Sequence, residues 1–136
     1  MPAMLPAMSP LPYPALKPCP CGSGRSYGAC CGPRHAGERP AETPEALMRS
    51  RYAAYFLRDA DYVRRTWHPD TCPADLNLNA DDTRYTGLTI HRTQGDEVEF
   101  TATFRAGGCA GRMRERSRFT RVGDAWVYVD GEVRGG

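Results

Sequence analysis

The sequence predicts an α+β fold: two short helices, then an antiparallel sheet of about four strands, with a small cysteine-held module in front. Three observations carry that prediction. Thr43-Pro44-Glu45 reads as a helix start, with threonine as N-cap, proline at the first helical position and an acid at the positive end of the dipole. From Tyr85 onward, alternating apolar and polar segments are separated by glycine-bearing turns, the pattern of a β-meander. Finally, four of the six cysteines lie between Cys19 and Cys31, in a stretch with almost no large apolar residues.

Residues 1–17 hold five prolines among small and apolar residues, with no basic cluster and no long apolar core. This is a poor secretory signal and reads as a disordered or polyproline-like tail. Residues 18–33 carry Cys19-Pro20-Cys21-Gly22-Ser23-Gly24 and, with eight residues between Cys21 and Cys30, Cys30-Cys31. A stretch this polar cannot fold by burying a core. Four thiolates converging on one Zn²⁺ at about 2.3 Å would supply the missing folding free energy. The alternative is a disulfide staple in which Cys30 and Cys31 each pair with Cys19 or Cys21. In a reducing cytoplasm, the expected location, metal is favoured over disulfide. His35, four residues beyond Cys31, is a possible substitute ligand, whereas Cys72 and Cys109 are too distant in sequence to count.

Residues 34–42 are polar, contain Gly37 and Pro40, and read as a linker to a main domain over residues 43–133. The first helix should run to about Arg58, with Met48, Tyr52, Tyr55 and Phe56 on one face. Asp59 or Asp61 can cap a second, ended by Trp67-His68-Pro69 because proline disfavours helix in the residue before it. Asp70 to Asp82 reads as a loop. Strands are expected near residues 85–92, 97–105, 111–121 and 125–130, joined by turns at Gln94-Gly95-Asp96, Gly107-Gly108 and Gly123-Asp124.

The turns imply a register. A two-residue loop at Gly107-Gly108 places Ala106 opposite Cys109, then Phe104–Gly111, Ala102–Met113, Phe100–Glu115 and Val98–Ser117. On the other face Glu99 meets Arg116 and Glu97 meets Arg118, charge-matched neighbours that a one-residue slip would lose. Arg112, Arg114, Arg116 and Arg118 then line one face, either as a phosphate- or RNA-binding stripe or as a solvated surface neutralised by the glutamates.

On the inward face Val98, Phe100, Ala102, Phe104, Met113 and Phe119 form a core that Glu115 and Ser117 share. A loop at Gly123-Asp124 would put Phe119 opposite Tyr128 and Ser117 opposite Asp130. Glu115, Ser117 and Asp130 would then converge among aromatics, where a carboxylate must be paired, hydrogen-bonded or protonated. Candidate partners are Arg49 or Arg51 from the long helix and His68 beside Trp67. Two readings follow: a buried Arg–Glu pair fixing helix to sheet, or a small-molecule pocket of Arg49, Arg51, Tyr52, Trp67, His68, Glu115, Ser117 and Asp130. If such a pocket were catalytic, Glu115 or Asp130 would be the general base, with His68 or Tyr52 as its acid partner.

Composition narrows the choices further. A net charge of +2 over 136 residues does not point to nucleic acid, and DNA binding is not expected. No apolar run approaches a membrane span. Lys17 is the single lysine, a bias toward arginine that a GC-rich genome also produces.

CPCGSGRSYGACCG resembles the SEC-C motif, the short zinc module at the C-terminal tail of the SecA translocation ATPase: C-P-C-G-S-G, then tyrosine, then cysteine followed by cysteine or histidine. GPRHAGERPAETPEALMRSRYAAYFLRDADYVRRTWHPDT, RERSRF and WVYVDGE resemble the YchJ-like bacterial family. Together the resemblances cover residues 18 to 133. They imply a SEC-C motif joined to a domain of the cone-like nuclear transport factor 2-like fold, a curved sheet wrapped around helices and enclosing a cavity. They bring no established activity, so whether the chain is an enzyme stays open. The SecA tail contacts the SecB chaperone and ribosomes, which suggests an adaptor near the ribosome or the protein-export machinery, with Arg25, Tyr27 and Arg34 as its contact residues. The alternative is a small-molecule binder or enzyme centred on Glu115, Ser117 and Asp130.

Overall fold

A computed structural model describes residues 11–74, 76, 78 and 83–134. The long helix, α2 (Pro44–Leu57), lies at the centre, preceded by a short α1 (Cys31–His35) and followed by α3 (Ala60–Arg65). Its start is as the sequence predicts, with the Thr43 hydroxyl accepting the Ala46 amide at 3.0 Å. It stops at Arg58, whose φ of 60° closes the last turn in the left-handed region. α2 is buried nearly all round: Leu47, Ser50, Arg51, Tyr52, Ala53, Ala54 and Leu57 are inaccessible on different faces. Such a helix needs covering on both sides. Asp59 caps α3 by accepting the Tyr62 amide.

One cover is a four-stranded antiparallel sheet in the order β1 (Arg84–Gln94), β2 (Glu97–Ala106), β3 (Cys109–Val122) and β4 (Ala125–Arg134). The β2–β3 register is the expected one at every position from Ala106–Cys109 to Glu97–Arg118. Gly107 and Gly108 both adopt positive φ, which sets the two-residue turn. Register shifts between Tyr85 and Gly87 and between Ile90 and Arg92 bend β1, curving the sheet around α2. Val98, Phe100, Ala102 and Phe119 point inward and are buried.

The β3–β4 pairing departs from expectation. Phe119 faces Tyr128 as predicted, but the next pair is Arg118–Asp130, leaving Val129 as an extra residue. This bulge shifts every later residue of β4 by one, so Ser117 faces Gly131 and Asp130 moves to the outer face. At the bulge the free edge of β4 is paired with the segment after α3: the Tyr128 amide donates to Thr66 O and the His68 amide to Tyr128 O, both at 2.7 Å.

The other cover of α2 is the N-terminal part of the chain. The expectation of a disordered tail fails for residues 11–17; residues 1–10 lie outside the described residues. Leu11 donates its amide to Leu57 O, Lys17 and Ala15 accept the amides of Tyr27 and Gly28, and the Tyr13 ring packs edge-on against Tyr27 and Phe56. The segment read as a linker is also tied to the main domain. Arg34 and His35 end α1, Ala41 is buried, and Glu42 O accepts the Trp126 indole N–H at 3.3 Å. The loop expected at residues 70–82 lies partly outside the described residues.

Candidate functional site

The chemistry concentrates on either side of α2, in a cluster of thiols and in a cavity. The Sγ atoms of Cys19, Cys21, Cys30 and Cys31 lie within 4.8 Å of one another, and all four residues are buried. Cys21 and Cys30 are 3.6 Å apart and Cys30 and Cys31 3.9 Å. Four thiolates at 2.3 Å from a tetrahedral ion stand about 3.8 Å apart. The donor set therefore fits a metal such as Zn²⁺.

Local geometry places these sulfurs. Gly22 and Gly24 take φ of 79° and 86°, so the chain turns back on itself and the Cys19 amide reaches Arg25 O. The Ser23 hydroxyl is hydrogen-bonded to Cys30 Sγ at 3.1 Å. Arg49, which the sequence reading assigns to the pocket, turns instead to this loop, giving 2.7 Å to Cys21 O and 3.0 Å to Glu45. His35 is no substitute ligand. Its Nδ1 accepts from Tyr27 Oη at 2.7 Å and its Nε2–H donates to Ser50 O at 2.8 Å, so both nitrogens are used as a neutral ring. Burial lowers its pKa below the ordinary range.

The thiols of the cluster shift one another in opposite directions. Hydrogen bonds from Cys19 and Cys31 pull the Cys21 thiol down. Hydrogen bonds to Cys19 and Cys21, with burial, push Cys31 up, and the bond to Cys21 pushes Cys19 up to about 12. Crowded thiols oppose one another's ionisation, and binding a divalent ion requires each ligand to be a thiolate.

On the other side of α2, a cavity of about 300 Å³ opens between helix and sheet, lined by Arg51, Tyr52, Tyr55, Trp67, Tyr85, Met113, Glu115, Ser117 and Tyr128 among others. Arg51, Tyr52, Trp67, Glu115 and Ser117 are therefore brought together as the sequence suggests. Glu115 Oε2 accepts from Ser117 at 2.7 Å and from Tyr128 at 3.1 Å. Burial raises the Tyr52 hydroxyl to about 12 and moves Tyr55 and Tyr128 in the same direction, so all three act as neutral donors. Arg51 donates to Val63 O and Thr66 Oγ1, both at 2.9 Å, and lies over the rings of Trp67 and Tyr128. The buried Arg–Glu pair of the alternative reading does not form: no ion pair joins Arg51 to Glu115 among the described residues.

Two other residues of the expected pocket lie elsewhere. Asp130, displaced by the bulge, accepts a two-pronged contact from Arg118 at 2.8 and 2.7 Å on the outer face. His68 sits at the start of a turn beyond α3, where its Nδ1 accepts the Asp70 amide, in a surface groove with Asp96 and Arg118. Of the general base and acid candidates, Glu115 and Tyr52 alone line the cavity. Sequence reasoning missed Tyr85 as a lining residue. Its signal is position: it is the second residue of β1, where an inward side chain meets α2.

The arginine stripe is neutralised by directly opposite residues on β4 and by diagonal neighbours on β2. Arg114 pairs with Glu99, Arg116 with Glu97 and Glu132, and Arg118 with Asp130. The sheet's twist brings diagonal neighbours within reach of long side chains. Of the three residues expected to form a contact surface, Arg25 is exposed. Tyr27 is held by His35, and Arg34 is buried on Cys30 O and Glu42.

Comparison with known proteins fits this geometry. Residues 43–131 match the family model described as YchJ, middle NTF2-like domain, and residues 17–33 match the SEC-C motif. The chain belongs to the YchJ-like family. A UPF0225 protein of Deinococcus radiodurans is 68% identical over 87% of this chain and 91% of its own length. Another from Streptomyces coelicolor is 54% identical over 85% and 94%. The solution structure of a SEC-C motif-containing protein from Rhodopseudomonas palustris, 41% identical, superposes with a TM-score of 0.74 over 84% of this chain and 96% of that one. The family relationship and the nuclear transport factor 2-like fold read from the sequence are both borne out.

Proposed function

We propose that this YchJ-like chain is a small-molecule-binding protein whose cavity is held in shape by a zinc-filled SEC-C module. The observation that carries the reading is the cavity itself, an aromatic-lined space with a few convergent polar groups, which is the usual character of a ligand site. The cysteine cluster supports zinc as a structural ion: its four donors are buried and leave no open position for a substrate. Four thiols available to a metal are in keeping with a reducing compartment such as the cytoplasm.

The test is a thermal-shift screen of the zinc-loaded full chain against common metabolites, repeated with Met113→Trp, which fills the cavity with a larger side chain. At least one compound should raise the melting temperature of the unaltered chain, and the substitution should abolish that rise. Absence of any stabilisation would overturn the reading.

A second reading, an adaptor contacting the ribosome or the export machinery, keeps one observation in its favour. Arg25 is exposed at the tip of the metal loop, where a guanidinium suits phosphate or carboxylate. Ribosome or export-chaperone capture that is lost on Arg25→Glu, with zinc content intact, would support it.

A further inference from the structure

Two arginines are buried among the described residues, Arg34 and Arg51. Arg34 has a carboxylate partner in Glu42 at 3.2 Å, whereas no acidic side chain pairs with Arg51 among the described residues. Arginine keeps its proton even where burial works against the charge. A lone buried cation is costly unless a counter-charge meets it. The oxygens of Val63 and Thr66 hold one side of the guanidinium, and the faces of Trp67 and Tyr128 flank it. These contacts supply dipoles and quadrupoles, not a compensating charge. The cavity wall therefore carries a fixed positive group, 4% exposed, in a lining that is mainly aromatic.

Among the described residues the cavity has one lining carboxylate, Glu115 of β3. Its Oε2 is taken by the hydroxyls of Ser117 and Tyr128, and its Oε1 accepts no hydrogen bond among the described residues. An incoming anion is thus directed toward Arg51, and the part of the ligand facing β3 must be apolar or a hydrogen-bond donor. A volume of about 300 Å³ is at the small end for ligand pockets.

We propose, building on the cavity reading above, that the ligand is a small organic acid with an aromatic or aliphatic body, its carboxylate seated on Arg51 and its body among Tyr52, Tyr85 and Met113. A carboxylate there would complete the charge pair that the described residues leave open, and the guanidinium's planar fork suits it.

The inference is tested by NMR titration of the zinc-loaded full chain with matched acids and amides: indole-3-acetate against indole-3-acetamide, 4-hydroxyphenylacetate against its amide, and hexanoate against hexanamide. The acids should shift the Met48 and Met113 methyl signals and the Trp67 indole signal, and bind at least about tenfold more tightly than their amides. Arg51→Met should remove that preference. The comparison in the unaltered chain needs no variant to fold. Amides binding as well as acids would overturn the anion assignment while leaving the cavity a ligand site. A preference for acids that survives Arg51→Met would overturn the role of Arg51. If neither set shifts these signals, the cavity reading falls together with the inference.

Discussion

His35 joins the cysteine module to α2 as a neutral ring, its Nδ1 on the Tyr27 hydroxyl and its Nε2–H on the Ser50 carbonyl. Burial holds its pKa below the ordinary value of about 6.5, which the unfolded chain keeps. Between those two values the unfolded chain binds the proton and the folded chain does not. Its stabilising contribution is therefore complete above the unfolded pKa and is lost as pH falls below it, by up to about 1.4 kcal/mol per pH unit. Urea melts with zinc in excess at pH 7.5 and 5.5 should show this loss, and His35→Gln should show a shallower one. Equal slopes would remove His35 from the account. The sequence marks His35 by its nearness to the motif and suggests a ligand. What it actually touches, a tyrosine eight residues back and a helix carbonyl, becomes visible only once α1 is packed on α2.

At the scale of elements, the β3–β4 bulge decides which acid reaches the cavity. Gly131 lies opposite Ser117, and a Cβ there would overlap the Glu115 carboxylate. Gly131→Ala should drive Glu115 from Ser117 and Tyr128, leaving the buried Ser117 hydroxyl without its acceptor at a cost of about 1–3 kcal/mol. Asp130→Asn, on the outer face, should leave the melting temperature where it is. Comparable losses in both variants would contradict the bulged register. Up to that point the sheet was legible, because Gly107-Gly108 admits one tight turn and the alternation of Phe100, Ala102 and Phe104 sets the buried face. Tyr128-Val129-Asp130 by itself reads as ordinary strand. Two clues lay beside it: Gly131 interrupts the strand pattern, and a shift by one residue brings Asp130 opposite Arg118. Helix α2 was similarly half legible. Its cap and sheet-facing residues were clear, but Ala53 and Ala54, whose small side chains admit close packing on further faces, carry no periodic signal of a second cover.

In the whole molecule, the four cysteines belong to one buried cluster with Leu47, Met48, Tyr52, Val98, Phe100 and Phe119. The module is therefore not an appendage beside a self-sufficient domain. α2 connects the two sites directly: Arg49 holds the Cys21 carbonyl, and Arg51 and Tyr52, two and three residues on, reach the cavity. Residues 11–17 close the same face. Metal loss should thus loosen the cavity as well as the loop, and the domain should not unfold separately from its cysteines. The most direct measurement is thermal unfolding of the chain before and after chelation, followed by tryptophan fluorescence, with metal content determined on the same samples. The account predicts one equivalent of zinc, a single transition, and a fall in midpoint of roughly 10 °C or more on removal, the scale of losing several kcal/mol of metal-linked stability. A midpoint unchanged after complete removal of the metal would contradict it.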